Sequence, residues 1–542
     1  MLKRVYKILL PEERRRGWGV AFSVFLTSLL DFAGLAALLP LLFKILNGDS
    51  IGTNGLWLCG GAALFIIVKN IMTMLLAYGQ NKFLLKLYKR LSFTLFSAHY
   101  SKGLLYIREH GSIKLGHEIN YNCFAFSQNL LAPLLQFSGN ILLALMVTIV
   151  LVIYEPLIVA MLYGAFIPFV LFYWFGVKRR IKEIGERELN AMREQGRVVS
   201  ETFKGYAEIE VNQGANTMQR AFIKGMDSIT DSHLKLGTIL RIPASLSELA
   251  IIVGLTLLLA FGTDTAPELL TIFAAASFRL LPALRGILSA WTQMNNALPT
   301  MEIIERGVVD LKSGEVDGEL KELDFNKAIV VEQLRFGYPD HRELFNNFNL
   351  RIEKGEYIGI KGVSGSGKST LFNILLGFIE PQQGRVLIDD CELNKYSRAA
   401  WLKKVGYVPQ EVFMTDGTLA ENIALGAADS IDREKIDRVL RLAELSDMVA
   451  MLPNGVDTPL RECGAVVSGG EKQRIGIARA LYKGAEVLLF DEATSALDNA
   501  TEERINSTIA TLRKEIDGLT ILSIAHRESS LNYCDRVLKL DK

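Results

Sequence analysis

The stretch "GVSGSGKST", residues 362–370, sets Gly362, Gly367, Lys368 and Ser369 in the spacing G-x-x-x-x-G-K-S. That spacing suits one kind of chemistry, the holding of phosphates. The glycines, with Ser364, Gly365 and Ser366 between them, let backbone N–H groups wrap anionic oxygens. Lys368 reaches the β- and γ-phosphates, and Ser369, followed by Thr370, offers a hydroxyl to Mg²⁺. Further on, "VLLFDEATSALD" (487–498) runs four apolar residues into Asp491 and Glu492. An aspartate ending a buried strand can hold Mg²⁺ through water. The glutamate beside it is placed to polarise a water that attacks the γ-phosphate.

Such residues need strands that end where the phosphates lie. "YIGIKG" reads as a strand opening onto the glycine loop, and a helical run follows it, which is the context the motif requires. This α/β texture starts near Ala328. We therefore expect three parts: residues 1–305 as a membrane domain, 306–327 as a linker and 328–542 as a nucleotide-binding domain.

The order P-loop, "VSGGEKQR" (467–474), "VLLFDEATSALD" and "SIAHR" resembles the ATP-binding cassette (ABC) ATPase over about 215 residues. The resemblance implies further roles. Tyr338 in "FGYP" would stack on adenine. Gln410 in "VGYVPQ" would contact Mg²⁺ and sense the membrane domain. Ser468, Gly469 and Gly470 would cap the γ-phosphate of ATP held by the opposite subunit. Asp498 would sit between the two sites, His526 beside the γ-phosphate, and Glu462 in a loop that touches the membrane helices. Two departures stand out. The signature reads Val-Ser-Gly-Gly-Glu where relatives have Leu-Ser-Gly-Gly-Gln, so Glu471 adds negative charge near ATP. The chain also stops at "VLKLDK", where relatives run on.

The first half is a different material. Half of all residues are hydrophobic, and the long apolar runs nearly all precede residue 300. Six are long enough to span a bilayer, near 18–46, 55–80, 131–153, 157–177, 243–262 and 267–290. The polar stretches 81–130 and 178–242 read as helices running on into water. The N-terminus carries Lys3, Arg4, Lys7 and Arg14–Arg16, whereas the connections "NGDSIGTNG", "YEP" and "GTDTAPE" carry neither Lys nor Arg. Positive charge stays inside, so the N-terminus, both polar stretches and the ATPase half are expected in the cytoplasm. No cleavable signal peptide is evident. Five cysteines without paired spacing give no disulfide framework. A net charge of +1 argues against nucleic acid as a partner.

The fold class expected is an all-α six-helix transmembrane domain of ABC exporter type, followed by an α/β P-loop NTPase domain of ABC type. By the exporter resemblance, residues 108–116 and 204–214 would form two coupling helices. One signature and one P-loop make only half of a composite site. The chain is expected to pair, most simply with a second copy of itself, although a heterodimer satisfies the same need.

Charges inside the apolar spans point to cargo. Counting 1.5 Å per residue, Arg279, Lys69 and Asp31 lie twelve, fourteen and thirteen residues into their spans, near mid-bilayer. Arg285 lies closer to the cytoplasm. A cavity lined by these residues would suit an anionic headgroup such as phosphate or pyrophosphate. The alternative is that Asp31 pairs structurally with Lys69 or Arg279 and Arg285 snorkels. "FRLLPALR", "IPASLSE" and "DFAGLAALLP" loosely resemble bacterial flippases for lipid-linked oligosaccharides. The expected function is thus ATP-driven outward movement of an anionic amphipathic lipid across the bacterial inner membrane. A peptide or multidrug exporter, or a membrane ATPase that senses without transporting, is the alternative.

Overall fold

The computed structural model describes residues 1–37, 53–261, 267–314, 322–338, 343–427, 430–460, 467–492, 499–525 and 527–540. It divides into two compact units, Met1–Glu315 and Val316–Lys542.

The first unit is helical among the described residues. A short α1 (Leu2–Ile8) leads to α2 (Pro11–Ala36), which starts on a proline with Glu12 and Glu13 in its first turn. Proline's fixed φ and the two carboxylates both suit a helix N-terminus. Then come α3 (Thr53–Ser101), the short α4 (Gly103–His110) and α5 (Ser112–Tyr154). Next are α6 (Pro156–Lys204), the short α7 (Tyr206–Val211) and α8 (Ala215–Phe261), followed by α9 (Pro267–Asn296) and α10 (Leu298–Gly314). The last of these runs into the linker expected at 306–327, as far as Gly314.

With 49 residues each, α3 and α6 are about 74 Å long, over twice the roughly 30 Å of a bilayer core. Each therefore continues into water, as the polar stretches predict. Along α3 the change of surroundings is visible in exposure. Leu64, Ile67 and Ile71 are open, as in a lipid-facing span, whereas Leu84, Leu87, Leu91 and Leu95 are fully buried. Those four leucines fall on one helix face and pack with Val5, Ile8, Phe126, Leu130, Met301 and Ile304. The helical extension thus has its own core. Among the described residues, five helices are long and apolar enough to cross a membrane, namely those containing Pro11–Gly34, Cys59–Ser101, Ser112–Tyr154, Ile158–Val177 and Ala215–Thr256. The sixth expected span coincides with α9, part of whose side chains lie outside the description.

Two glycines with positive φ bracket α4: Gly103 at +79° starts it and Gly111 at +72° ends it. A side chain is strained there. The helix expected at 108–116 is therefore broken at Gly111, and the short helix lies at 103–110 instead. Gly205 before it and Asn212–Gln213 after it frame α7 on the second excursion.

The second unit holds two main sheets. One is antiparallel with strand order β2-β1-β4-β5, from β1 (Ala328–Gly337), β2 (Glu343–Glu353), β4 (Gln383–Ile388) and β5 (Cys391–Glu392). The other is parallel with order β11-β3-β10-β9-β6, from β3 (Tyr357–Gly362), β6 (Val405–Val408), β9 (Val487–Asp491), β10 (Thr520–Ile524) and β11 (Arg536–Leu540). A small third sheet pairs β7 (Gly417–Thr418) antiparallel with β8 (Pro459–Leu460), which are distant in sequence. Both β9 and β10 are buried at every position, as expected for a parallel sheet covered on both faces. The four cysteines among the described residues are free.

Candidate functional site

The parallel register fixes which residues can meet. Ile360 pairs with Ile524 on β10, and Ile524 pairs with Asp491 on β9. The C-terminal ends of β3 and β9 therefore lie on the same side of the sheet, the usual place for a ligand in an open α/β fold. From β3 the chain turns at Gly362. A Cβ there would sit 2.6 Å from Ser366 Oγ and 2.7 Å from the Leu540 carbonyl oxygen, so only glycine fits. Gly365 and Gly367 have φ of +78° and +94°. Gly367 then caps α11 (Lys368–Leu375). Ser364 is exposed on the loop, while Ser366 is buried and its Oγ has no partner. An unpaired buried hydroxyl on a glycine-rich turn just before a helix N-terminus fits an anionic oxygen. Lys368 is buried with 5% exposure, and its Nζ donates to the carbonyls of Gly362 and Val363 at 3.0 and 3.2 Å.

Asp491 ends β9 and accepts two hydrogen bonds. Ser369 Oγ donates to Oδ1 at 3.0 Å and Tyr407 Oη to Oδ2 at 3.1 Å. Burial pushes the Asp491 carboxyl above its usual value. The Ser369 and Tyr407 hydrogen bonds oppose that shift, and the neighbouring Glu492 charge adds to it. Glu492 adopts a left-handed φ of +51°, an uncommon conformation for this residue type. Its Oε1 lies 3.9 Å from Lys368 Nζ, and its Oε2 accepts from Gln410 Nε2 at 3.4 Å. A hydroxyl and carboxylates gathered at one strand end are hard oxygen donors, the set that Mg²⁺ prefers.

Tyr338 stands nearby. Its ring meets Phe336 edge-on at 5.1 Å, and its Oη shares a hydrogen bond with Thr370 Oγ1 at 3.3 Å. On the helix α12 (Gly469–Lys483), Ser468 is the N-cap. The Glu471 carboxylate takes the Ser468 backbone N–H at 2.6 Å and its hydroxyl at 2.7 Å, and the Glu471 N–H returns to Ser468 Oγ at 3.4 Å. Gly469 and Gly470 form the first turn. The structure thus gathers Lys368, Ser369, Asp491, Glu492 and Gln410, and sets Ser468 at the start of its own helix. His526, Asp498 and Glu462 lie outside the described residues. Arg527, next to His526, binds Glu502, which also accepts from Ser530 Oγ at 2.6 Å.

Two contributors were not singled out from the sequence. Tyr407 holds Asp491, and Gln473 Nε2 donates to the Gln410 carbonyl at 2.7 Å. The strand pattern of "VGYVPQ" places Tyr407 close to Gln410, and Gln473 belongs to the quoted "VSGGEKQR". Both signals were present as position, not as motif.

In the membrane unit, Lys69 Nζ donates to Asp31 Oδ1 at 2.6 Å, and the Lys69 side chain is only 9% exposed. The two charges expected near mid-bilayer meet each other, which is the structural-pair alternative. Asp31 also lines a cavity of about 230 Å³ with Thr27, Ser28, Gln80, Gln136 and Asn140. Arg285 Nη2 donates to Ser247 Oγ at 2.9 Å, while its Nε is buried without a partner. Arg279 lies on α9, with its side chain outside the description.

Residues 345–495 match the family described as ABC transporter. Among curated proteins, the chain is similar to the ATP-dependent lipid A-core flippase of Ralstonia nicotianae, 31% identical over 69% of this chain and 64% of that protein. It is also similar to the proteins of the same name from Idiomarina loihiensis, at 31% over 67% and 63%, and from Bordetella avium, at 32% over 67% and 62%. The matches thus span somewhat under two thirds of these relatives' length. Among solved structures, a bacterial Atm1-family ABC exporter with ATP bound has the same fold. Its TM-score is 0.80 at 22% identity, covering 97% of this chain and 93% of that one. The fold and the motif-bearing domain define a class: a helical membrane domain of ABC exporter type fused to an ABC ATPase domain. That is the architecture of an ABC half-transporter.

Proposed function

We propose that the chain works as a pair of copies that hydrolyse ATP to move an anionic amphipathic lipid outward across the bacterial inner membrane. One observation carries the ATPase part. Lys368, Ser369, Asp491, Glu492 and Gln410 converge at one end of a parallel sheet, beside a glycine loop with an unpaired buried hydroxyl. ATP phosphates would lie in the loop, and Lys368 would turn its ammonium from the Gly362 and Val363 carbonyls to the phosphate oxygens. Ser369 and, through water, Asp491 would hold Mg²⁺, which would supply charge neutralisation for the phosphates. Glu492 orients the attacking water and takes its proton, and Gln410 holds the Glu492 carboxylate in place. Ser468, Gly469 and Gly470 would close on ATP bound by the other copy. This arrangement draws the two ATPase domains together only when ATP is present, and differential affinity for the closed state is all that the coupling requires. Asp498 between the two sites and His526 beside the γ-phosphate are assigned on the resemblance.

The lipid part rests on the three similar proteins named as lipid A-core flippases and on the cationic Arg285 and Arg279 in the last span. The positive-inside pattern supports the orientation, with the N-terminus and ATPase domain cytoplasmic. A second reading, a peptide or multidrug exporter, gains from the Lys69–Asp31 pair, since those two charges are satisfied without cargo. ATPase measurements in liposomes separate the two readings. A lipid-pyrophosphate-linked sugar or a lipid A-type molecule should stimulate hydrolysis several-fold in the wild type and not in Arg285→Ala. Stimulation by neutral drugs or peptides alone would favour the second reading.

A further inference from the structure

Between α2 and α3 lies an open groove of about 520 Å³. Its two ends differ in chemistry. Val20, Leu75 and Leu76 give it apolar walls, and Gly19 and Gly79 leave room between the helices. At the other end stand Arg16, Lys82 and Lys86. On α3, Leu75, Gly79, Lys82 and Lys86 fall at i, i+4, i+7 and i+11, one continuous stripe. The groove also holds Glu13, but that carboxylate is already bound by both Arg90 Nε and Nη2 at 2.8 Å. The remaining charge in the groove is cationic and solvent-exposed.

Position along the helices fits a membrane surface. The groove straddles the levels at which the first span is expected to begin, near residue 18, and the second to end, near residue 80. Trp18 and Tyr78, 76% and 66% exposed, stand at the same level. Exposed Trp and Tyr are typical of the membrane–water interface, and a basic pocket between spans on the cytoplasmic side suits an anionic lipid headgroup.

We propose that this groove is a binding site for a phosphate-bearing anionic lipid of the cytoplasmic leaflet. The headgroup phosphate would sit among Arg16, Lys82 and Lys86, with an acyl chain along Val20, Leu75 and Leu76. The site does not depend on which cargo the chain moves.

The full chain in nanodiscs or detergent tests this, with phosphatidylglycerol as probe, phosphatidylcholine as control and glycerol phosphate as the free headgroup. Retention of lipid is read by native mass spectrometry. Two variants attack the two ends separately. The triple variant Arg16→Gln, Lys82→Gln, Lys86→Gln removes the charge. Gly79→Phe fills the apolar part, at a position where an added Cβ meets nothing within 4 Å. The expected result is that wild type retains phosphatidylglycerol at least tenfold over phosphatidylcholine and that each variant loses this preference. Glycerol phosphate should not compete at equal concentration, since it lacks the chain. Unchanged retention in Gly79→Phe, equal retention of phosphatidylcholine, or full competition by glycerol phosphate would overturn the proposal. So would protection of a Gly79→Cys thiol from a lipid-soluble maleimide in lipid-free dimer, because the second copy would then cover the groove.

Discussion

Gln410 and Glu492, 82 residues apart in sequence, face each other at the end of the parallel sheet, with the amide nitrogen 3.4 Å from the carboxylate. Gln410 is itself fixed from behind by Gln473 on the helix that begins at Ser468. A chain of two hydrogen bonds therefore runs from that helix to the carboxylate proposed to act on water. Glu492→Gln should lower phosphate release by about 100-fold or more, in line with loss of a general base, while ATP affinity changes by less than about threefold. Nucleotide-binding fluorescence beside a phosphate-release assay reads both numbers.

The buried Asp491 sets a pH dependence. Its pKa is raised, chiefly by burial, so the folded state holds this proton more tightly than the unfolded chain does. Its contribution to stability is therefore fully present below the unfolded pKa and is lost as pH rises through the folded one. Metal binding runs the other way, because only the ionised carboxylate serves. The Mg²⁺ concentration needed for half-maximal hydrolysis should rise on acidification at a higher pH than an ordinary aspartate would give. In Asp491→Asn that pH dependence should vanish, and more Mg²⁺ should be required throughout.

Glu471 is a departure with a structural consequence. Its carboxylate occupies the Ser468 hydroxyl and backbone N–H, the hydroxyl proposed to meet ATP of the second copy. A carboxylate there opposes the approach of a phosphate. Glu471→Gln keeps an acceptor for the cap and removes the charge, so the KM for ATP should fall several-fold with little change in thermal stability. Glu471→Ala should also lose the carboxylate's half of the capping box while Ser468 remains the N-cap, a cost under about 1 kcal/mol, seen as a slightly lower melting temperature.

Lys69 and Asp31 should behave as a pair. Lys69→Met leaves Asp31 without its partner and is expected to destabilise the membrane unit by about 3 kcal/mol, whereas Lys69→Met with Asp31→Leu should recover most of that. Thermal inactivation of the four proteins of this cycle measures the coupling. If the double variant is as unstable as the single one, the pair is not what holds these residues.

Helix packing offers a plainer test. A Cβ at Gly185 would lie 2.3 Å from the Asn296 carbonyl oxygen, a backbone atom that cannot rotate away. Gly185→Ala should therefore separate α6 from the end of α9 and cost about 1–3 kcal/mol, again read by thermal inactivation. Gly164→Ala, where an added Cβ meets nothing within 4 Å, is the control and should be close to neutral.

How much of this was legible follows from where each signal sits. The glycine loop and Asp491–Glu492 were readable because their spacing is local, and a strand end aims them. The excursions were readable from helical periodicity, and Gly103 and Gly111 mark where the first of them breaks. Tyr407 and Gln473 escaped notice because their contacts are with residues 84 and 63 positions away, set by strand order that no local pattern encodes. The π-helical turns inside α5 at Glu118–Asn122 and Phe126–Leu131 also have no local sign that sets them apart from α-helix. Depth counting placed Asp31 and Lys69 at one level, but it could not choose between facing a cavity and facing each other. The 2.6 Å contact is a tertiary fact.

The central claim is that ATP turnover at Glu492 moves an anionic lipid. Its most direct test uses proteoliposomes containing a fluorescent lipid-pyrophosphate-linked sugar, in which a membrane-impermeant quencher reads transbilayer movement. Wild type, Glu492→Gln and Arg285→Ala are compared with and without ATP. The account predicts ATP-dependent movement in the wild type, none in Glu492→Gln, and a strong loss in Arg285→Ala with hydrolysis retained. Hydrolysis by the wild type without any lipid movement, or equal movement in Glu492→Gln, would contradict it.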